Sequence, residues 1–542
     1  MNRKITIFTF LLALAVVFTA CGESSGDGAH ETFSMFIVGS PPELYVSYSD
    51  NPVVRYIEER FDVTFEFEQP AVGTEFDALS IMFGTAQFTD VVAITMYTGS
   101  VLELYLDGVI INFANYLQYM PNFSALMDAN PEWARTLMDE DGRILAINSL
   151  EQAPSNPWIG LAYRHDILVY MTNDNVQFPS GYDEPMTIAD WEYMLPIFVD
   201  YFRQQGKVEY AGLILPPQGF FPFGELSDSF GTMFHLWVDG TETHFGPFTD
   251  EWREYLETMN RWFANGWIYG DFAARVQDMF FMPNPALTHG NAAGIFMTFP
   301  HNLGDAMSDW DNNIIYDLRP LRSPIGPGRT SADMLMRIPP PTDGSGMEYV
   351  VTTGTQNIPR LLSILDFFYS EEGGMLTVFG MRADQIPEGD TLHNQHGLEA
   401  GTHWFENNQL IFNPALVQGG GSVPLIDFTG DQFPGFRPNR YLVENVSELE
   451  SYAFSRWAYH DRYTVRRALP PLALTETEQA IADRFTSAVM DEVQTMTPRF
   501  IIGVEPLTDV SWASYINRLN DLGATEMLEA FRAAYSRRQA IR

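Results

Sequence analysis

Lysine is almost missing from this chain of 542 residues: Lys4 and Lys207 are the only two. A GxxxxGK[ST] loop therefore cannot be assembled, and the chain is not itself a P-loop nucleotide hydrolase. Basic charge is scarce altogether, with 31 Lys and Arg against 70 Asp and Glu and a formal net charge of −39. Affinity for nucleic acid comes mainly from neutralising phosphates. No nucleic-acid partner is expected, and the acid excess reads as a solvated surface on a protein outside the cell. Cysteine occurs once, at Cys21, so no internal disulfide can form. The metalloprotease run HExxH and the SxxK run are absent as well. Long apolar stretches are confined to Ile5–Phe18, too short for a comfortable membrane span of about 20 residues.

What is present begins with that stretch. Arg3 and Lys4 precede it and the small residues Thr19 and Ala20 close it, the order of a secretory signal expected over residues 1–20. Phe18-Thr19-Ala20-Cys21 resembles the lipobox of bacterial lipoproteins, with Phe18 in place of the usual leucine. The resemblance implies a diacylglycerol, with acyl chains such as palmitate, on the Cys21 sulfur. Residues 21–32, rich in Gly, Ser and acid, read as a flexible tether behind that anchor.

The rest is too long for a single core. At 46% apolar residues it is globular in composition. Ser34–Val38 reads as a strand, Asp50-Asn51-Pro52 as the start of a helix to Arg60, and alternating Val63, Phe65 and Phe67 as a second strand. A helix over Phe76–Phe83 and a strand over Asp90–Ile94 complete a β-α-β-α-β order, hence a parallel sheet with ligands beyond its carboxyl ends. Val101–Met138 is expected to be helical. Trp252, Tyr255, Leu256, Met259, Trp262 and Phe263 share one helical face, as do Ile481, Phe485, Val489, Val493 and Met496. The Pro-bearing connection from Pro154 and the Pro- and Gly-dense stretch Pro320–Asp343 mark crossings between two α/β lobes. The expected division is 33–153 plus 345–400 for the first lobe and 154–344 plus 401–542 for the second.

Several stretches resemble the extracellular solute-binding proteins of carbohydrate ABC transporters, in the lipoprotein subgroup that includes alginate-binding proteins. The most specific are Leu469-Pro470-Pro471-Leu472 with Thr475 and Glu476, and Phe500-Ile501-Ile502-Gly503, Pro506-Leu507, Trp512, Tyr515 and Leu522-Gly523. Tyr163–Asp166, Met186–Trp191, Asn265–Phe272 and Leu365–Gly373 resemble further stretches of that subgroup. The resemblance implies a two-lobed type II periplasmic-binding-protein fold with a hinge between the lobes. It implies a monomer that captures a sugar or oligosaccharide, delivers it to membrane permease subunits, and catalyses nothing. A cell-surface polysaccharide-degrading enzyme and a ligand-sensing receptor component remain alternatives. Many relatives carry an aspartate-rich calcium loop where this chain reads Arg203–Glu209 without aspartates, so no calcium is expected there. His393, His396 and His403 lack a clear acidic partner for zinc, and no metal or other cofactor is expected.

A sugar cleft needs flat aromatic surface for the apolar faces of the ring and planar polar groups for its hydroxyls. Loop positions of that kind are Tyr45, Tyr97, Trp158, Tyr163, Arg164, Phe223 with Phe221, Trp237, Phe299, His301 and Trp404. Arg164 also suits a structural ion pair with Asp166.

Overall fold

The computed structural model describes residues 30–540 apart from 39–43, 72–73, 96, 98–99, 140, 216–224, 273–284, 310–313, 339, 417–422 and 442–445. The expected signal, Cys21 and all but the end of the tether lie outside the described residues, as do Phe221 and Phe223.

The first lobe grows from the alternating strand and helix order of its sequence. Asn51 Oδ1 accepts hydrogen bonds from the amides of Val53 (2.8 Å) and Val54 (3.3 Å), and Pro52 has the preset φ of a first helical residue, so a helix runs over Pro52–Phe61. Strand Val63–Glu68 follows, then helix Glu75–Thr85 and strand Val91–Ala93. Strand Glu31–Phe36 pairs in parallel with both Val63–Glu68 and Val91–Ala93. The sheet reaches six strands because the chain returns: Ser345–Val351 lies antiparallel to Val91–Ala93, Ile147–Glu151 antiparallel to Ser345–Val351, and Phe436–Arg437 parallel to Ile147–Glu151. Met35, Phe36, Val91, Val350, Leu361 and Leu365 lie in its fully buried core. The stretch expected to be helical from Val101 to Met138 is divided into Val101–Leu106, Phe113–Tyr119, Pro121–Ala129 and Pro131–Leu137. Pro121 and Pro131 each open a new helix, since neither can donate to the preceding one.

The second lobe is built on a four-stranded sheet in the order Leu318–Leu321, Gly160–Arg164, Ala293–Thr298, Ala211–Leu213. Helix Asp250–Ala264 buries Trp252, Tyr255, Leu256, Met259 and Trp262, the face its sequence shows, in the core of this lobe, packing on helix Glu476–Ile501. Helices Glu476–Ile501, Asp509–Asp521 and Ala524–Ala540 close the chain. Trp457 is fully buried on the opposite face of the sheet, its Nε1 donating to Leu161 O at 2.8 Å. Gly160 is required there, because a Cβ would stand 2.3 Å from the Trp457 ring. The Gly160→Ala protein is therefore expected to lose about 2–3 kcal/mol of stability through overpacking. Urea denaturation checks this, and a loss under 0.5 kcal/mol would mean the ring moves freely.

The chain passes from the six-stranded to the four-stranded sheet between Glu151 and Gly160 and back between Leu321 and Ser345. The third crossing differs from the expected 400/401. Phe433 belongs to the first-lobe core, Leu410 packs with Met375 and Phe379, and Phe436–Arg437 extends the first-lobe sheet. Residues 401–416 and 423–441 therefore pack with the first lobe, including hairpin His403–Glu406/Gln409–Phe412. At the hinge, Ala153 N donates to Asn439 Oδ1 (2.9 Å), and Asn439 Nδ2 donates to Ala153 O (2.6 Å) and Glu151 Oε2 (3.1 Å).

Candidate ligand-binding cleft

In α/β sheets ligands sit beyond the carboxyl ends of the parallel strands. In the first lobe that edge carries Tyr45 and Tyr48 after Glu31–Phe36, Gln69 after Val63–Glu68, and Arg437 beside Glu151. Segment Thr429–Arg437 threads these together. Asn51 Nδ2 donates to Thr429 O (2.9 Å) and to the Tyr45 hydroxyl (2.8 Å). Gln432 Nε2 donates to the Tyr48 hydroxyl (3.1 Å), the Tyr349 hydroxyl donates to Gln432 O (2.7 Å), and Arg437 donates to Asp431 O (3.2 Å). The Tyr48 amide donates to Gln69 Oε1 (3.3 Å), which fixes the orientation of that side-chain amide. Four polar atoms of this wall are buried without a hydrogen-bond partner among the described residues: Gln69 Nε2, Asp431 Oδ1, Gln432 Oε1 and Arg437 Nε. Burial pushes the Asp431 carboxyl up to about 6, outweighing the pull of Arg437, and raises the Tyr45 and Tyr48 phenols.

The second lobe presents aromatic surface at the corresponding end. Gly160 pairs with Thr298, so Trp158 and Phe299, just beyond that pair, come side by side with ring centroids 6.0 Å apart. Phe299 stacks on His301 at 5.3 Å with 11° between planes. Trp158 is 43% exposed and lies five residues from the hinge residue Ala153.

The other sequence candidates are distributed differently. Tyr163 and Arg164 are buried within strand Gly160–Arg164. Arg164 grips Asp166 with Nε (2.9 Å) and a terminal nitrogen (2.6 Å), donates to Asn291 Oδ1 (2.8 Å) and lies 3.6 Å over the Tyr316 ring. Trp237 is buried and stacked on His244 at 4.2 Å. Tyr97 packs on Phe83 at 4.4 Å, and Trp404 donates from Nε1 to Glu406 (3.0 Å) on the first-lobe hairpin. The structure thus gathers Trp158, Phe299 and His301 in one place and puts Tyr45 in the first-lobe polar wall. Tyr48, Gln69, Asp431, Gln432 and Arg437 were not legible as candidates. The run Asp427–Arg437, which intersperses Phe with Asp, Gln and Arg, is the signal from which part of this set could have been found.

Among the described residues no group of three or more His, Cys, Asp or Glu is placed to hold a metal ion. The rings of His393 and His396 both meet Phe428, whereas His403 lies against Phe379 and Phe405. The stretch Arg203–Glu209 ends its helix at Gln204, and Lys207 Nζ donates to Gly290 O at 2.6 Å. Burial holds His403 down to about 4, below the ordinary value near 6.5. A folded pKa below the unfolded one means that the neutral ring's contribution is complete above pH 6.5 and is lost as pH falls toward 4, at most about 3 kcal/mol. Asp431 and Asp461, both raised to about 6, act in the opposite sense, so a single-site comparison is needed. The His403→Gln protein is expected to lose less melting temperature between pH 7 and 4.5 than the natural protein, and an equal loss would contradict this.

No family model matches the sequence, and no curated protein matches it. Solved structures do. Alginate-binding protein AlgQ2, in its form without calcium ion, aligns over 93% of this chain and 98% of its own with a TM-score of 0.66 at 16% identity. An HMO-binding ABC-transporter-associated solute-binding protein of Bifidobacterium longum infantis aligns over 94% and 99%, with a TM-score of 0.70 at 14% identity. The S. pneumoniae ABC-transporter substrate-binding protein FusA, in complex with kestose, aligns over 94% and 100%, with a TM-score of 0.69 at 16% identity. The fold is that of the solute-binding proteins. The alignments span essentially the full length of each of these neighbours.

Proposed function

We propose that this protein is the extracytoplasmic capture subunit of an ABC importer, a monomer that takes a sugar or oligosaccharide between its lobes and hands it to membrane permease subunits. The observation that carries the reading is that each lobe carries, at its strand ends, a wall of a different kind, aromatic on one and polar on the other. Trp158 and Phe299 offer ring surface to the apolar face of a sugar, while Tyr45, Tyr48, Gln69, Asp431, Gln432 and Arg437 offer groups for its hydroxyls. Closure of one lobe onto the other removes the ligand from water and fixes the relative positions of the two outer surfaces that a permease would read. The structural neighbours are binding proteins, which supports binding without catalysis.

Among the described residues no helix is long and apolar enough to cross a membrane. Attachment to the outer face of the membrane is assigned instead to lipid on Cys21, supported by the signal-like run and by Phe18-Thr19-Ala20-Cys21. One acyl chain binds membranes only marginally, so firm anchoring needs two or more. The Cys21→Ala protein is expected to leave the membrane fraction. Retention there would sink the anchor.

A thermal-shift screen of the chain from Gly22 onward, against oligosaccharides and peptides, tests the capture reading. Stabilisation by sugars supports it, and stabilisation by peptides alone contradicts it. New reducing ends released from polysaccharides would favour a degrading enzyme instead.

A further inference from the structure

Resting on the capture reading, we propose that the first-lobe wall selects a neutral sugar and turns away acidic, uronate-type oligosaccharides. The four unpaired atoms divide evenly: Asp431 Oδ1 and Gln432 Oε1 accept, whereas Gln69 Nε2 and Arg437 Nε donate. They belong to one connected group, since Gln69 holds the Tyr48 amide, Tyr48 meets Gln432, Gln432 Nε2 lies 3.4 Å from the other Asp431 oxygen, and Arg437 holds the Asp431 carbonyl. A sugar hydroxyl both donates and accepts, so neighbouring hydroxyls of a neutral ring satisfy all four atoms in two donor–acceptor pairs.

A carboxylate accepts only. Placed here it would bond Gln69 and Arg437, leave Asp431 Oδ1 and Gln432 Oε1 desolvated and unpaired, and set its charge beside that of Asp431. The single positive charge of Arg437 is already set against the negative charges of Asp431 and Asp427. Asp427 adds to the negative field, acting together with Asp431 on the phenols of Tyr45 and Tyr48. A buried acceptor left unpaired weakens binding by roughly 5- to 150-fold, the span that corresponds to about 1–3 kcal/mol.

Titration calorimetry of the chain from Gly22, which contains all the described fold, tests this with two panels of equal length. The neutral panel comprises gluco-, manno-, xylo- and fructo-tetrasaccharides, and the acidic panel tetramers of alginate and of galacturonate. The expected result is binding by at least one neutral tetrasaccharide, with every acidic one at least tenfold weaker. In the Asp431→Asn protein that neutral ligand should bind roughly 10- to 100-fold more weakly. Gln69→Ala, which removes one donor and leaves Asp431 intact, should weaken it about 5- to 10-fold and guards against a folding defect in the first variant. Acidic tetramers binding as tightly as neutral ones would overturn the selectivity and leave sugar capture standing. Unchanged affinity in both variants would overturn the role of this wall. Binding by neither panel, with peptides binding instead, would overturn the capture reading itself.

Discussion

Replacing Trp158 with alanine weakens the protein's affinity for its sugar by about 30- to 150-fold, or ~2–3 kcal/mol, while the unliganded protein melts within a degree or two of the natural one. The two halves of that expectation have separate causes. Buried aromatic anchors at the centre of a binding surface carry contributions of this size. Trp158 is 43% exposed, lies tilted at 47° to the Phe299 ring and is not a member of the buried second-lobe core. Phe299→Ala is expected to have a smaller effect on affinity and a larger one on stability, because Phe299 also packs on the second-lobe core and on His301. Calorimetry on both variants checks the order. A Trp158→Ala protein within threefold of natural affinity would remove the aromatic wall from the site.

Asp343→Asn is expected to be the most destabilising of the polar substitutions, by about 3–5 kcal/mol. Asp343 lies at the second crossing and is 6% exposed. One carboxylate oxygen pairs with Arg467, next to the small sheet Arg467–Ala468/Leu236–Val238/Thr243–Phe245, and the other pairs with Arg538 of the last helix at 3.1 Å. A neutral amide would leave two guanidinium groups facing each other beside the hinge with no countercharge. A two-lobed chain need not unfold in one step, so the effect is to be read as a shift of the first transition in calorimetric melting. A shift under one degree would show that these arginines find other acceptors.

Much of the fold is legible in the sequence because its signals are local. The cap and proline of Asn51-Pro52, the alternation of Val63, Phe65 and Phe67, and the stripe from Trp252 to Trp262 each act within one helix or one strand. The third crossing is not legible in this way. The strand that carries it, Phe436–Arg437, has two residues and is held by pairing with Leu150 and Glu151, nearly three hundred positions away. The cleft divides along the same line. Trp158, Phe299 and His301 stand out in the sequence as cleft candidates, but so do Tyr163, Arg164 and Trp237. Only distant partners such as Asn291 and Tyr316 bury Arg164. Gln69, Asp431, Gln432 and Arg437 look like ordinary loop polarity until the threading of Thr429–Arg437 along the sheet edge brings them together.

The central claim is that two lobes close around a captured sugar. Small-angle X-ray scattering of the chain from Gly22, with and without the tightest-binding neutral oligosaccharide, tests it most directly. The account predicts a smaller radius of gyration in the saturated sample at unchanged mass, and a bound sugar that left the scattering curve unaltered would contradict it.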